Sequence, residues 1–260
     1  MSPSKQKAHA ELGASTSEIW LNCAGSVNLW RKSPPKKDSE YAREGTLAHE
    51  LLEKWATHLR SNFGAFTFPK NNVNPGMIQA VRVCIDDLKK SWDRKKDELV
   101  IERKVNLSKV FDEPDMFGTV DIGIIRHFRT LEVSDYKHGS GVPVSLKKDT
   151  ASGTTILNTQ LVYYALGLAA EYDFNFKDVT LKIIQPRYAG QDAIQKVTVP
   201  MRELMSYIPL FKKGIARTKN PDARRTAGPW CRFCRARVIC KEGNEKYRSD
   251  CRNDFDEVRA

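Results

Sequence analysis

The sequence predicts a mixed α/β fold, with a central mixed sheet flanked by helices. Three observations carry that expectation. Apolar residues recur at helical spacing up to about residue 95. Three short stretches rich in β-branched residues, 98–107, 117–126 and 130–137, then follow in close succession. A further helical stretch and another strand come after them, so neither an all-helical nor an all-strand architecture fits.

Taken in order, residues 1–14 read as a flexible leader. Ser15 and Ser17 are each placed to cap a helix carrying Ile19, Trp20, Cys23, Val27 and Trp30. A Pro- and Lys-rich link, Ser33 to Asp38, interrupts it. The strongest helix pattern covers about 40–60, with Leu47, Leu51, Trp55 and Leu59 four residues apart. A second helix is expected from Pro75 to about Lys95, with Ile78, Val81, Ile85 and Leu88 apolar. After the three strands, 138–153 is a Gly/Ser/Lys loop and 155–172 a helix rich in Leu, Ala and Tyr. A strand over 179–185 follows, with 193–199 as its candidate partner. Pro200 opens a helix to about Arg217, and a Pro/Gly/Arg linker leads to a cysteine-rich end. Residues 15–245 therefore form one domain, and 246–260 read as a tail.

Of 260 residues, 40% are hydrophobic and 29% charged, which suits a globular chain. No apolar run approaches the roughly 20 residues that span a bilayer. The N-terminus has no apolar signal core. The expectation is a cytoplasmic protein without a membrane partner. Lys and Arg number 43 against 32 Asp and Glu, a formal charge of +11. That excess favours an anionic partner, because neutralised phosphates release counterions. Any single basic cluster, such as Lys147-Lys148 or Arg224-Arg225, reads equally well as solvated surface.

The chemistry concentrates in Gly118-Thr119-Val120-Asp121 and Asp135-Tyr136-Lys137. Alternation along a strand puts Asp135 and Lys137 on one face and Tyr136 on the other. With His127-Phe128-Arg129 as the hairpin loop, Arg126 faces Thr130 and Asp121 falls opposite Asp135. Directly opposed residues lie about 4.5–5.5 Å apart, close enough for two carboxylates to share one ion. Two bare carboxylates at that distance repel, and a divalent cation resolves the repulsion. Acid-x-Lys triplets also occur at Asp87-Leu88-Lys89, Asp93-Arg94-Lys95 and Glu102-Arg103-Lys104, on what reads as solvated surface. An ion pair is the plain alternative for Asp135 and Lys137 as well.

On the strong helix, His49 and Glu53 share a face at i and i+4. The zinc-protease pattern His-Glu-x-x-His is not met, which excludes that class. Gln160 and Tyr164 share a face of the later helix, where an amide and a phenol suit phosphate or base contacts, or simply core packing. Six cysteines are present; Cys231-x2-Cys234-x5-Cys240 needs a fourth ligand, with Cys23 the choice and Cys251 the nearer alternative. Cys84 reads as a buried core residue. Thiolate-rich sets suit zinc or an iron–sulfur cluster, and spacing leaves that choice open.

The ordered set Gly45-Thr46…His49…Glu53, Gly118-Thr119-Val120-Asp121, Asp135-Tyr136-Lys137 and Gln160…Tyr164 resembles the RecB-like nucleases of the PD-(D/E)XK superfamily. With Cys23…Cys231-x2-Cys234-x5-Cys240 it resembles their iron–sulfur branch, which includes AddB-type nuclease domains and CRISPR-associated exonucleases, and most closely a compact phage and prophage group. The resemblance implies a restriction-endonuclease-like core whose ends, 15–30 and 228–245, are joined by a [4Fe–4S] cluster on the four cysteines. It further implies Mg²⁺ or Mn²⁺ held by His49, Asp121, Asp135 and the main-chain carbonyl of Tyr136. Lys137 would be catalytic, Gln160 and Tyr164 would touch DNA, and Glu53 would stand behind the metal ligands. Where the family triplet often begins with Glu, this chain has Asp135.

The implied activity is metal-dependent hydrolysis of DNA, most simply as an exonuclease in phage-type recombination or end processing, inside a bacterial host. A phage single-strand annealing protein or recombinase would be its partner. No Gly-x4-Gly-Lys-Ser/Thr phosphate loop occurs, so an ATP motor is not encoded in recognisable form. The competing reading is a catalytically inactive DNA-binding module with a zinc or iron–sulfur structural site.

Overall fold

The computed structural model describes residues 10–34, 39–61, 64–127, 129–149 and 154–257, the side chains of Asp149 and of residues beyond 249 apart. Five strands form the central sheet: β1 (Asp97–Asn106), β2 (Phe117–Arg126), β3 (Thr130–Tyr136), β6 (Asp178–Ile184) and β7 (Ile194–Pro200), in the order β1-β2-β3-β6-β7. All neighbours are antiparallel except β3 and β6, which run parallel. A parallel pair needs a crossover, and α6 (Thr159–Ala170) supplies it.

Both faces of the sheet are covered, as its doubly apolar central strands require. On one face α6 brings Leu161, Val162, Ala165 and Leu168 into the same apolar cluster as Val133, Leu181 and Ile183. On the other, α3 (Glu40–Ser61) and α4 (Pro75–Ser91) bring Leu51, Leu52 and Ile85 together with Ile122, Ile124, Tyr136 and Ile184. A buried ion network ties α4 to the strands: Lys182 Nζ lies 2.8 Å from Asp87 Oδ2 and 2.7 Å from Glu132 Oε1. Such a network needs every charge partnered, and Arg126 Nη2 closes it at 3.0 Å from Glu132 Oε2.

The remaining helices are α1 (Ser17–Asn22), α2 (Gly25–Trp30), α5 (Ser108–Phe111), α7 (Met201–Met205), α8 (Ile208–Thr218) and α9 (Lys241–Glu257). Among the described residues no helix is long and apolar enough to cross a membrane.

Several local expectations are corrected. The stretch 155–172 is not one helix: Thr155–Leu157 forms β5, pairing with β4 (Lys147–Asp149), and the helix starts only after Asn158. The β-branched pair Thr155 and Ile156 favours the strand, while the Asn158 side chain accepts from Gln160 N and Leu161 N and so starts the helix there. The helix expected to reach Lys95 stops at Ser91, and the one from Pro200 breaks before Pro209 into α7 and α8. The leader boundary also moves, since Ala10, Leu12 and Ala14 are already buried. Residues 1–9 and Phe128 of the expected hairpin loop lie outside the described residues. At the other end α9 runs through the boundary drawn at 245.

Candidate functional site

The antiparallel ladder of β2 and β3 ends at Ile122 paired with Ser134. Asp121 and Asp135 are the next residue on each strand, so the expected opposition falls where the strands part. There Tyr136 N–H, without a ladder partner on β2, donates to Asp121 Oδ2 at 2.8 Å. Both carboxylates are buried.

Two further side chains converge on Asp121. From α3, His49 Nδ1 lies 3.6 Å from Asp121 Oδ1. From β1, Glu102 Oε1 lies 3.8 Å from His49 Nδ1, too far for a hydrogen bond. One ligand atom each from His49, Glu102 and Asp121 lie within 4.8 Å of one another. Glu102 Oε1 is buried without a hydrogen-bond partner among the described residues. Glu102 also has φ 43°, a left-handed conformation that costs a non-glycine residue about 1–2 kcal/mol. Backbone strain and an orphaned buried oxygen on one residue mark Glu102 as a candidate functional position.

Asp135 and Lys137 form the other half. Lys137 Nζ lies 2.8 Å from Asp135 Oδ2. Gln160, at the capped start of α6, fastens the pair: its Oε1 accepts from Lys137 Nζ at 3.0 Å, and its Nε2 donates to Asp135 Oδ1 at 3.3 Å. The same Nε2 donates to Tyr164 OH at 3.1 Å. Gly118 makes room for that phenol, since a Cβ there would stand 2.9 Å from Tyr164 Cε1.

Burial and neighbouring charge together raise both His49 and Asp121. Burial disfavours the His49 cation, but Asp121, Glu102 and Asp135 outweigh it and push the imidazole up to about 9. Burial lifts the Asp121 carboxyl well above the usual range; His49 opposes the rise, and Asp135 and Glu102 add to it. Behind His49, the Tyr136 ring stands edge-on at 5.6 Å. Tyr136 OH meets His138 Nδ1 at 2.8 Å, Arg187 Nη1 donates to His138 Nε2 at 2.7 Å, and Arg187 pairs with Glu44 at 2.9 Å.

Of the residues singled out in the sequence, His49, Asp121, Asp135, Lys137, Gln160 and Tyr164 gather at this end of the sheet. Glu53 does not join them: it is exposed and makes no hydrogen bond or ion pair among the described residues. Glu102 was missed because its Glu-x-Lys triplet read as solvated surface. Register in the folded sheet places it, with no sign in residue type: Ile101 pairs with Ile122 and Arg103 with Val120, which sets Glu102 across from Asp121.

The second site is the cysteine lobe. Cys23 follows α1, Cys231 and Cys234 lie in and after a 3-10 turn (Pro229–Phe233), and Cys240 follows another (Arg235–Ile239). All four line one small cavity with Ser26, Thr226 and Trp230. Each sulfur accepts one N–H: Cys23 from Thr226 N at 3.3 Å, Cys231 from Gly228 N at 3.4 Å, Cys234 from Trp30 Nε1 at 3.3 Å and Cys240 from Gly243 N at 3.4 Å. Burial raises the Cys23 and Cys240 thiols, and these N–H donors pull the other way. Gly25 admits the chain at Ala223 and Arg225, which a Cβ would strike. Cys84 is buried in α4, and the Cys251 side chain lies outside the described residues.

The chain belongs to the family described as "Protein of unknown function (DUF2800)", whose model matches residues 9–260. The solved structure "Crystal structure of SSO0001" is similar at 15% identity, covering 87% of this chain and 96% of that one, with a TM-score of 0.33.

Proposed function

We propose that the protein is a Mg²⁺- or Mn²⁺-dependent DNA nuclease with a PD-(D/E)XK core of the RecB-like type. The observation that carries the reading is the convergence of His49, Glu102 and Asp121 on one point, beside the Asp135–Lys137 pair. Asp135 and the Tyr136 carbonyl would complete the ligands, and the mixture of imidazole and carboxylate suits Mn²⁺ at least as well as Mg²⁺. A divalent ion there supplies Lewis acidity toward a phosphoryl oxygen.

The chain's own residues do the rest. Lys137, held by Asp135 and Gln160, places a fixed ammonium where charge builds on a phosphate or where an attacking water must be oriented. Gln160 and Tyr164 present an amide and a phenol to the strand. His49 has to lose its proton to serve as a ligand, so metal binding releases protons and strengthens as pH rises toward 9. Exonuclease action in phage-type recombination, alongside an annealing protein or recombinase, extends the reading on the family resemblance.

The four cysteines line one cavity, and the family resemblance favours a [4Fe–4S] cluster there over zinc. An N–H donated to each sulfur favours thiolates, the form in which either metal is held. The cluster would be a structural tie between the chain's ends.

Digestion of end-labelled linear and closed circular DNA with Mn²⁺ tests the enzyme. Asp121→Ala and Lys137→Ala should each lower cleavage by roughly a hundredfold or more, with DNA binding in EDTA retained. Cleavage by Asp121→Ala at the wild-type rate would reject the site, and wild-type binding without cleavage would favour an inactive DNA-binding module. Anaerobic purification decides the lobe: iron with sulfide supports the cluster, stoichiometric zinc rejects it.

A further inference from the structure

Among the described residues, four of the seven exposed large hydrophobic side chains, Phe233, Val238, Ile239 and Tyr247, fall within fifteen residues of the cysteine lobe. Scattered exposed apolar groups need no explanation, but a concentration of this kind does. The surrounding charge is one-sided, with eight Lys and Arg against two Glu between residues 224 and 248. Both glutamates are already engaged, Glu242 with Arg225 at 2.8 Å and Glu245 with Lys241 at 4.0 Å. Two guanidinium groups lie over rings of the patch: Arg232 is 6.0 Å from the Phe233 ring centre, and Arg237 is 5.2 Å from that of Tyr247. Aromatic faces interleaved with arginines match a polymer that alternates flat bases with phosphates.

Position adds a second argument. Ser17 Oγ, at the start of α1, is 2.8 Å from Thr159 Oγ1, the residue before Gln160. Cys23, just past the end of α1, is already in the lobe. One helix of six residues, about 9 Å long, therefore separates the lobe from the α6 end of the carboxylate site.

We propose that this face of the lobe is a docking surface for a single nucleic-acid strand, with bases stacking on Phe233 and Tyr247 and phosphates meeting Arg232 and Arg237. The proposal rests on the nucleic-acid reading above but not on hydrolysis. A single strand is favoured over a duplex because a paired helix hides its base faces, leaving exposed rings nothing to stack on. The strand held here would lie one short helix from the metal ligands, so the lobe would set which part of a frayed end reaches them.

The test is fluorescence anisotropy in EDTA, where no turnover occurs, with a labelled oligo-dT of 20 nucleotides and a duplex of equal length. Wild type should bind oligo-dT more tightly than the duplex. Phe233→Ala/Tyr247→Ala should weaken oligo-dT binding about tenfold or more, as expected for lost base stacking. Arg232→Ala/Arg237→Ala should reduce the dependence of log affinity on log salt by about one to two. Arg232, Phe233 and Tyr247 are exposed and Arg237 is half-buried, and circular dichroism with metal content checks that each variant is folded. Unchanged oligo-dT affinity in both folded variants overturns the proposal, as does equal or tighter binding of duplex. Self-association that disappears in Phe233→Ala/Tyr247→Ala, with oligo-dT binding intact, also overturns it and assigns the face to a protein partner. Failure here leaves the hydrolytic reading standing, because Asp121→Ala tests that separately.

Discussion

The carboxylate site and the cysteine lobe are built in opposite ways. The first is set into the end of a sheet covered by helices on both faces, and six of its residues, all but Lys137, come from strands or helices that pack into the two apolar clusters. The second consists of two 3-10 turns and a chain end. The turn at 229–233 buries none of its residues, and that at 235–239 buries only Ala236. A site mounted on a finished scaffold would keep its shape with or without the proposed metal. Under the proposed function, a lobe with almost no core of its own would depend on the metal joining its sulfurs, because binding free energy there would be folding free energy.

That contrast gives the largest effect. Cys231→Ser or Cys240→Ser should release the lobe, so trypsin should cut within 219–248, which is dense in Arg and Lys, at least about tenfold faster than in wild type. The far-UV circular dichroism of the sheet and α6 should persist. EDTA applied to the wild-type carboxylate site should leave the digestion pattern unchanged. Equal trypsin rates in the cysteine variants would erase the distinction between the two regions.

The same contrast explains what the sequence revealed. The opposition of Asp121 and Asp135 follows from a short hairpin with a single register, and the side-chain period of two does the rest. Gln160 and Tyr164 follow from helical spacing on α6, even though its start was placed too early. The four-sulfur grouping was read from the triplet and a remote Cys23, while its N–H donors were invisible: Trp30 and Thr226 reach Cys234 and Cys23 only through long-range packing. Glu102 was hidden for a different reason. Its place is fixed by the β1–β2 register and a left-handed kink, and neither leaves a mark in residue type. The small hairpin of β4 and β5 was overlooked because a three-residue strand is too short to show a period.

A smaller effect sharpens the scaffold side of the comparison. Gly118→Ala would drive its Cβ against the Tyr164 ring, which Tyr163 also crowds at 3.4 Å from that Cβ. Overpacking of this kind costs about 1–3 kcal/mol and should be relieved by moving Tyr164. Gln160 donates to that phenol and holds Lys137, so the displacement reaches the ammonium. Cleavage should fall roughly tenfold to a hundredfold while Mn²⁺ affinity, read by calorimetry, changes little. A Mn²⁺ affinity that falls in parallel with cleavage would mean the two halves of the site are not separable.

The smallest effect carries the most information, because its sign reverses with the ion. The Asp121 carboxyl is raised above its ordinary value by burial, even after the attraction of His49 is included. A carboxyl raised in the folded state contributes stability that is complete below its unfolded value near 4 and is lost as pH climbs through the folded value. At pH 8 in EDTA the ionised wild-type group therefore destabilises the fold, and Asp121→Asn should raise Tm by a few degrees, on the order of 1 kcal/mol for a domain of this size. The amide oxygen can still accept from Tyr136 N–H, so the backbone bond at 2.8 Å survives. At pH 4 the gain should vanish, since wild type is then protonated too. Adding Mn²⁺ at pH 8 should reverse the order, raising the wild-type Tm through binding and leaving Asp121→Asn where it was. A lower Tm for Asp121→Asn in EDTA would mean that the His49 pair stabilises the fold without any ion, and the site would then be an ordinary buried salt bridge.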